Sequence, residues 1–185
     1  MTNEPVTLAR RLGTTAHLSL LLMKARRLGI PLPSGLDDLA VARGCSYYRP
    51  NAEEVLPPDV TEEQFTNEEL AVALLNNSLP FSARNIRLAA CLLGGEDIDP
   101  ESVAELAVEE RCTPAVRYIA ECGQKFDPQV QFWPRLISLL QDCPRGLVVA
   151  PDDLPHPTRF IEMTGLSRAG VGLITKWIRP HQVVR

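Results

Sequence analysis

Apolar residues recur along this chain at helical spacing, and the residues between them mark where each helix begins and ends. Ile86, Ala89, Ala90 and Leu93 follow the i, i+3, i+4, i+7 pattern that gathers side chains on one face of a 3.6-residue period. Val103, Leu106 and Ala107 repeat it, as do Val116, Ile119 and Ala120. Leu70, Ala71, Leu74 and Leu75 form an earlier face, and Leu18, Leu22, Ala25 and Gly29 another near the N-terminus. The punctuation agrees with the periodicity. Thr66-Asn-Glu-Glu69 reads as a capping box, in which the Thr hydroxyl takes the Glu69 N–H and the Glu carboxylate takes the Thr N–H. Ser82 opens a helix that stops at Gly94-Gly95, Asp99-Pro100 opens one reaching Cys112, and Thr113-Pro114 opens one stopping at Gly123. Asp or Thr before Pro caps a free N–H and puts Pro where none is needed, while Gly takes the left-handed turn that ends a helix. Asp127-Pro128 opens a fourth segment.

Outside this block the pattern is looser. Residues 1–30 read as two helical pieces: Val6–Leu12, and a second capped by Thr14 or Thr15 that runs to Leu28. Lys24, Arg26 and Arg27 fall in its last turn, where cations suit the helix dipole, and Gly29 with Pro31-Leu-Pro33 ends it. Ser34 caps a short helix to about Arg43. Residues 44–65, with Gly44, Tyr47-Tyr48, Pro50 and Pro57-Pro58, read as a linker. Pro134 kinks or restarts the segment that ends at Cys143-Pro144. Gly146–Ala150 is β-branched enough to be a short strand. The division is therefore an N-terminal helical segment 1–43, a linker 44–65, a helical core 66–142 and a small C-terminal element 143–185. The predicted fold is mainly α, a helical bundle or a short helix-hairpin solenoid. A repeat supports the solenoid: Ile86-Arg87, Gly94 and Ile98-Asp99-Pro100 align with Val116-Arg117, Gly123 and Phe126-Asp127-Pro128. Two copies are fewer than an array needs to bury a continuous core.

Residues 160–178 admit two structures. Gly165, Leu166-Ser167, Val171 and Ile174 resemble a helix-turn-helix motif, which implies DNA contacts from Ser167, Arg168, Gly172 and Lys176, with Arg179 and Arg185 reaching phosphates. The alternative is a β-hairpin, since Arg159–Thr164 and Val171–Ile178 are rich in β-branched and aromatic residues and Gly165 and Gly170 frame a turn. Two glycines inside the supposed recognition helix cost ~1 kcal/mol each, which favours the hairpin.

Charge changes the picture more than composition does. Residues 1–49 carry seven Lys/Arg against three Asp/Glu (+4), residues 50–130 five against sixteen (−11), and residues 131–185 seven against four (+3), giving the net −4. Basic ends flank an acidic middle, so the charges either match internally or meet a charged partner. Within the middle, Glu101, Glu105 and Glu109 stand four apart and stack along one side of a helix. That side is a solvated face or a docking surface for a basic protein. An aromatic content of 5% argues against a base-stacking nucleic-acid platform, and an acidic body repels phosphate.

Candidate chemistry is sparse. The cysteines 45, 91, 112, 122 and 143 include no Cys-x-x-Cys pair, and Cys91 and Cys122 lie on apolar helices as buried thiols, which points to a reducing, cytoplasmic setting. Asp152, Asp153 and His156 lack the spacing of a metal site, and no phosphate loop, nucleophile elbow or dinucleotide fingerprint is spelled. No cofactor is called for, and the apolar run His17–Met23 falls short of the ~20 residues of a membrane span. The expected function is a non-catalytic interaction module whose protein partner is basic, contacted through Glu101, Glu105 and Glu109. The second reading is a DNA-binding regulator using Ser167, Arg168, Lys176 and Arg179, and an enzyme comes third.

Overall fold

A computed structural model describes residues 7–8, 18–48, 58–141, 154–164 and 174–181. They form α1 (Leu20–Arg27), α2 (Ser34–Ala42), α3 (Asn67–Leu74), α4 (Ala83–Leu93), α5 (Pro100–Glu109), α6 (Thr113–Phe126) and α7 (Phe132–Leu139), followed by β1 (Ile161–Thr164) and β2 (Ile174–Trp177). Short 3-10 turns lie at Ser46–Tyr48 and Pro157–Phe160. The fold is mainly α with a small C-terminal β-hairpin. The strands pair antiparallel in the register Ile161↔Trp177, Glu162↔Lys176, Met163↔Thr175 and Thr164↔Ile174. A helix-turn-helix needs helices on both sides of its turn, so these strands overturn that geometry for 160–178. The β-branched and aromatic residues prevail over a helix that Gly170 and Gly172 would weaken.

The helices follow one another in two layers. α1 packs on α3, α3 on α5 and α5 on α7, while α2 packs on both α3 and α4, and α6 on α5 and α7. α4 packs chiefly on α3 and also on α2, with Asn85, Ile86 and every residue from Leu88 to Leu93 buried. A helix apolar around most of its circumference belongs inside, and the alanines at 89 and 90 let its neighbours approach. One apolar cluster runs from Leu8 and α1 through Leu36, Leu70, Leu88, Val116 and Trp133 to Trp177 and Ile178.

The caps behave largely as the sequence predicts. The Thr66–Glu69 capping box is complete, Ser82 accepts from the Asn85 N–H, and Asp99 accepts from the Ser102 N–H. Three helices end in the same way. The residue after the cap is left-handed at Gly29 (φ 78°), Gly44 (φ 99°) and Arg111 (φ 54°), and the next N–H reaches back to Ala25, Ala40 and Ala107 in turn.

Several expectations fail for identifiable reasons. α1 begins at Leu20, because Ser19 is extended and its hydroxyl caps the Leu22 N–H. Leu18 therefore lies outside the helix and is 77% exposed, and Leu21 takes its place in the core. Pro33, not Ser34, precedes α2. Thr113 bonds back to the Ala107 carbonyl instead of capping, and Asp127 closes α6 instead of opening α7. The segment restarts around Pro134, one of the two expectations for it: Pro134 sits in the first turn of α7, where its missing N–H has no partner to lose. α4 does stop at Gly94, though with φ −82° and not through a left-handed residue, whereas α6 runs straight through Gly123. Both glycines make room for tryptophan. A Cβ at Gly94 would fall 2.5 Å from Trp177 Cδ1, and one at Gly123 would fall 2.2 Å from Trp133 Cδ2. Val6, residues 9–12, Thr14, Thr15, Cys143 and residues 146–150 lie outside the described residues.

The hairpin is tied down by rings. Trp177 Nε1 donates to the Ala90 carbonyl at 3.0 Å. Its ring lies 4.9 Å from Trp133 and 5.6 Å from Phe160, which meets Tyr118 edge-on at 6.2 Å. Asp127 accepts from Trp133 Nε1 and pairs with Arg179, so the chain after β2 is fixed to the end of α6. Among the described residues no helix is long and apolar enough to cross a membrane.

Candidate functional site

The acidic residues singled out in the sequence divide on the structure. Glu101 in the first turn of α5 pairs with Arg135 of α7, with its Oε1 2.6 Å from Nη2 and 2.7 Å from Nε. Glu105 and Glu109 are exposed, and among the described residues neither forms an ion pair. They line an open groove of about 310 Å³ between α5 and the start of α3, together with Thr66, Glu68, Glu69, Ser102 and Leu106.

Local rules place each wall. The capping box puts Glu68 and Glu69 in the first turn of α3, where carboxylates suit the helix dipole. Glu69 Oε2 accepts the Thr66 N–H at 2.9 Å, and Glu68 Oε1 accepts the Asp99 N–H at 3.1 Å, which ties the start of α3 to the start of α5. On α5, Ser102, Glu105, Leu106 and Glu109 recur at steps of three, one and three, so all four face the groove. The Ser102 hydroxyl and N–H both donate to Asp99 and hold its carboxyl below the usual range. Two cations lie beside Glu69: Arg43, whose guanidinium donates to Asn67 Oδ1 at 3.0 Å, and Lys24 of α1, which pairs with the carboxylate directly. Lys24 Nζ lies 2.6 Å and 2.7 Å from the two Glu69 oxygens and 5.6 Å from the centre of the Phe65 ring. Four carboxylates thus gather around a half-buried leucine with one ammonium among them, an arrangement suited to a long cationic side chain whose stem can lie on Leu106.

Behind the groove is a buried polar cluster. Glu110 is 2% exposed, and Asn76 and Asn77 are fully buried. Glu110 Oε1 accepts the Leu21 N–H at 2.9 Å and Oε2 accepts Asn76 Nδ2 at 2.8 Å. Asn77 Nδ2 donates to the Arg111 carbonyl at 2.6 Å. Glu110 thus serves as a distant cap for α1. Sequence spacing missed it, since nothing local separates Glu110 from Glu109; the one available signal was a pair of asparagines just past a helix end.

Of the residues of the nucleic-acid reading, only two fall among the described residues. Lys176 is exposed on β2 opposite Glu162, Arg179 is half-buried against Asp127, and Ser167 and Arg168 lie outside the described residues. Cys45, Cys91, Cys112 and Cys122 are buried free thiols. Burial pushes up the Cys112 thiol and raises that of Cys122 to about 11. No group of three or more His, Cys, Asp or Glu among the described residues is placed to hold a metal ion. No family model matches this chain, and no significant match is found among curated proteins or solved structures.

Proposed function

We propose that the chain is a non-catalytic interaction module that takes a basic segment of a protein partner into the α3–α5 groove. The observation that carries this reading is the convergence of Glu68, Glu105 and Glu109, with Glu69 beside them, on the half-buried Leu106. Charge complementarity names the occupant: a lysine- or arginine-rich peptide stretch, drawn in by the acidic potential and seated with one aliphatic stem on the leucine. The succession of α1, α3, α5 and α7 supports a short helix-hairpin solenoid, an architecture whose neighbouring helices make extended binding surfaces. The free thiols suit a reducing, cytoplasmic setting.

The test is fluorescence anisotropy with a labelled lysine-rich peptide and a labelled random DNA duplex, each at low and high salt. The wild type should bind the peptide in a salt-sensitive way, and reversing Glu105 and Glu109 to Lys should abolish binding, mainly through a slower on-rate. Glu101→Lys should have a smaller effect, because Arg135 already occupies that carboxylate. Micromolar, salt-sensitive binding to the duplex without binding to the peptide would overturn the proposal in favour of nucleic acid.

A further inference from the structure

We infer that Lys24 is an internal counter-ion of the groove that competes with the partner's cation for Glu69, an inference that rests on the reading of the groove given above. The ammonium occupies the place a bound basic side chain would take, against both oxygens of Glu69 and over the Phe65 ring. It is free to leave: the Lys24 side chain is 41% exposed, whereas that of Glu69 is 16% exposed. The carboxylate stays where it is without the lysine, because the Thr66 N–H holds Oε2. α1 also keeps its place. Leu21, Leu22 and Ala25 are buried, and Glu110 takes the Leu21 N–H, none of which involves the ammonium. The contact is therefore separable from the fold. While Lys24 is seated, an incoming cation meets a like charge and one fewer available carboxylate. When Lys24 is neutral, Glu69 joins Glu68, Glu105 and Glu109 as a fourth ligand for the partner.

The experiment measures the affinity of labelled hexalysine by anisotropy at about 20 mM and about 300 mM salt, where screening separates charge from packing. Its variants are Lys24→Met, Glu69→Gln, their double substitution, the control Arg27→Met, and the Glu105→Lys/Glu109→Lys pair. Methionine keeps the stem, glutamine preserves the capping box, and Arg27 is exposed on the same helix. Lys24→Met should tighten binding about fivefold at low salt, the scale of one exposed ion pair. The gain should fall below about twofold in the Glu69→Gln background and at high salt, and Arg27→Met should also give less than about twofold. Equal gains from Lys24→Met and Arg27→Met, or from Lys24→Met with and without Glu69, would overturn the inference and leave only a net-charge effect. Wild-type binding that is lost with Glu105→Lys/Glu109→Lys but unchanged by Lys24→Met would overturn this inference alone. Absence of binding by both the wild type and a folded Lys24→Met protein would overturn the groove reading and this inference together. Lys24→Gln carries the same expectation should methionine disturb folding, as judged by circular dichroism.

Discussion

Glu110 offers the sharpest test of how α1 is held, because its carboxylate faces two donors that have few other options. Oε1 takes the Leu21 N–H and Oε2 takes Asn76 Nδ2, in a site 2% exposed. Glu110→Gln preserves shape but leaves one acceptor oxygen, so an amide NH2 is turned toward a donor. Asn76 cannot simply turn over to meet it, since its Oδ1 already accepts the Ser78 N–H at 2.9 Å. One buried donor must go unsatisfied, at a cost of about 1–3 kcal/mol. Glu110→Ala strands both donors and opens a void, which raises the cost to about 3–5 kcal/mol. Urea denaturation with an unchanged m-value measures both losses. Amide exchange locates them: Leu21 and Leu22 at the start of α1 should lose protection before the buried α4 does. A Glu110→Gln variant within about 0.5 kcal/mol of the wild type, with Leu21 still protected, would refute the view that this carboxylate anchors α1.

Four further outcomes follow from the packing. Arg111→Gly should stabilise by about 1 kcal/mol in the same titration, because Arg111 occupies the left-handed position that Gly29 and Gly44 fill at the ends of α1 and α2. Gly123→Ala should destabilise by about 2 kcal/mol despite the ~1 kcal/mol gained in helix propensity, since its Cβ would meet the Trp133 ring at 2.2 Å; a higher melting temperature would place that ring elsewhere. Ala90→Leu should cost about 1–3 kcal/mol, as Ala90 is 1% exposed and its carbonyl receives Trp177, and a neutral result would contradict that close contact. Cys122 should resist alkylation at neutral pH until the chain unfolds. Burial raises its thiol to about 11 from 9.0, so the folded state holds that proton more tightly, and the associated stability is full below about 9 and lost as pH rises toward 11.

What could be read from the sequence was whatever a few neighbouring residues decide. The Thr66–Glu69 box, the Ser82 and Asp99 caps and the faces of α4 and α6 depend on hydrogen bonds and periodicity within one or two turns, and these appear as spelled, while on α5 Val103 and Ala107 are buried and Leu106 is half-buried at the groove. The failures share the opposite property. Gly123 looks like a helix stop in sequence, yet α6 runs through it and the Trp133 ring of the next helix occupies the space of a side chain; Gly94 does stop α4, but it also makes room for Trp177 from the far end of the chain. Asp127-Pro128 matches Asp99-Pro100 as a helix start, but Asp127 is engaged by Trp133 and Arg179. Leu18 fitted the apolar face of α1, yet the helix cannot extend back to it while Ser19 and Glu110 cap its first turn. Half of the groove was legible for the same reason. Glu105 and Glu109 share a helix and a period, but nothing in the sequence says that α3 brings Glu68 and Glu69 alongside them.

The uneven charge of the chain now divides into two parts with different consequences. One part matches across segments. Lys24 from the basic N-terminal stretch pairs with Glu69, Arg135 and Arg179 from the basic C-terminal stretch pair with Glu101 and Asp127, and Arg84 of the acidic middle reaches Asp37 at 3.9 Å. Partly exposed pairs of this kind contribute about 0–1 kcal/mol each, so they align helices already held by the apolar cluster and do not hold the fold themselves. The other part is what the matching leaves over. Among the described residues Glu68, Glu105 and Glu109 have no cation seated on them, and they are not dispersed over the surface but face one another across a single groove. Spacing four apart on α5 already places like charges where they repel, by roughly 0.2–0.5 kcal/mol per pair, and packing α3 against that face adds Glu68 to the same field. A solvated face with no further role could relieve that repulsion through any arrangement that spreads the carboxylates apart. Their concentration around Leu106 is the feature on which the proposal of a basic partner rests, and the Lys24 variants measure how much of that field the protein already neutralises for itself.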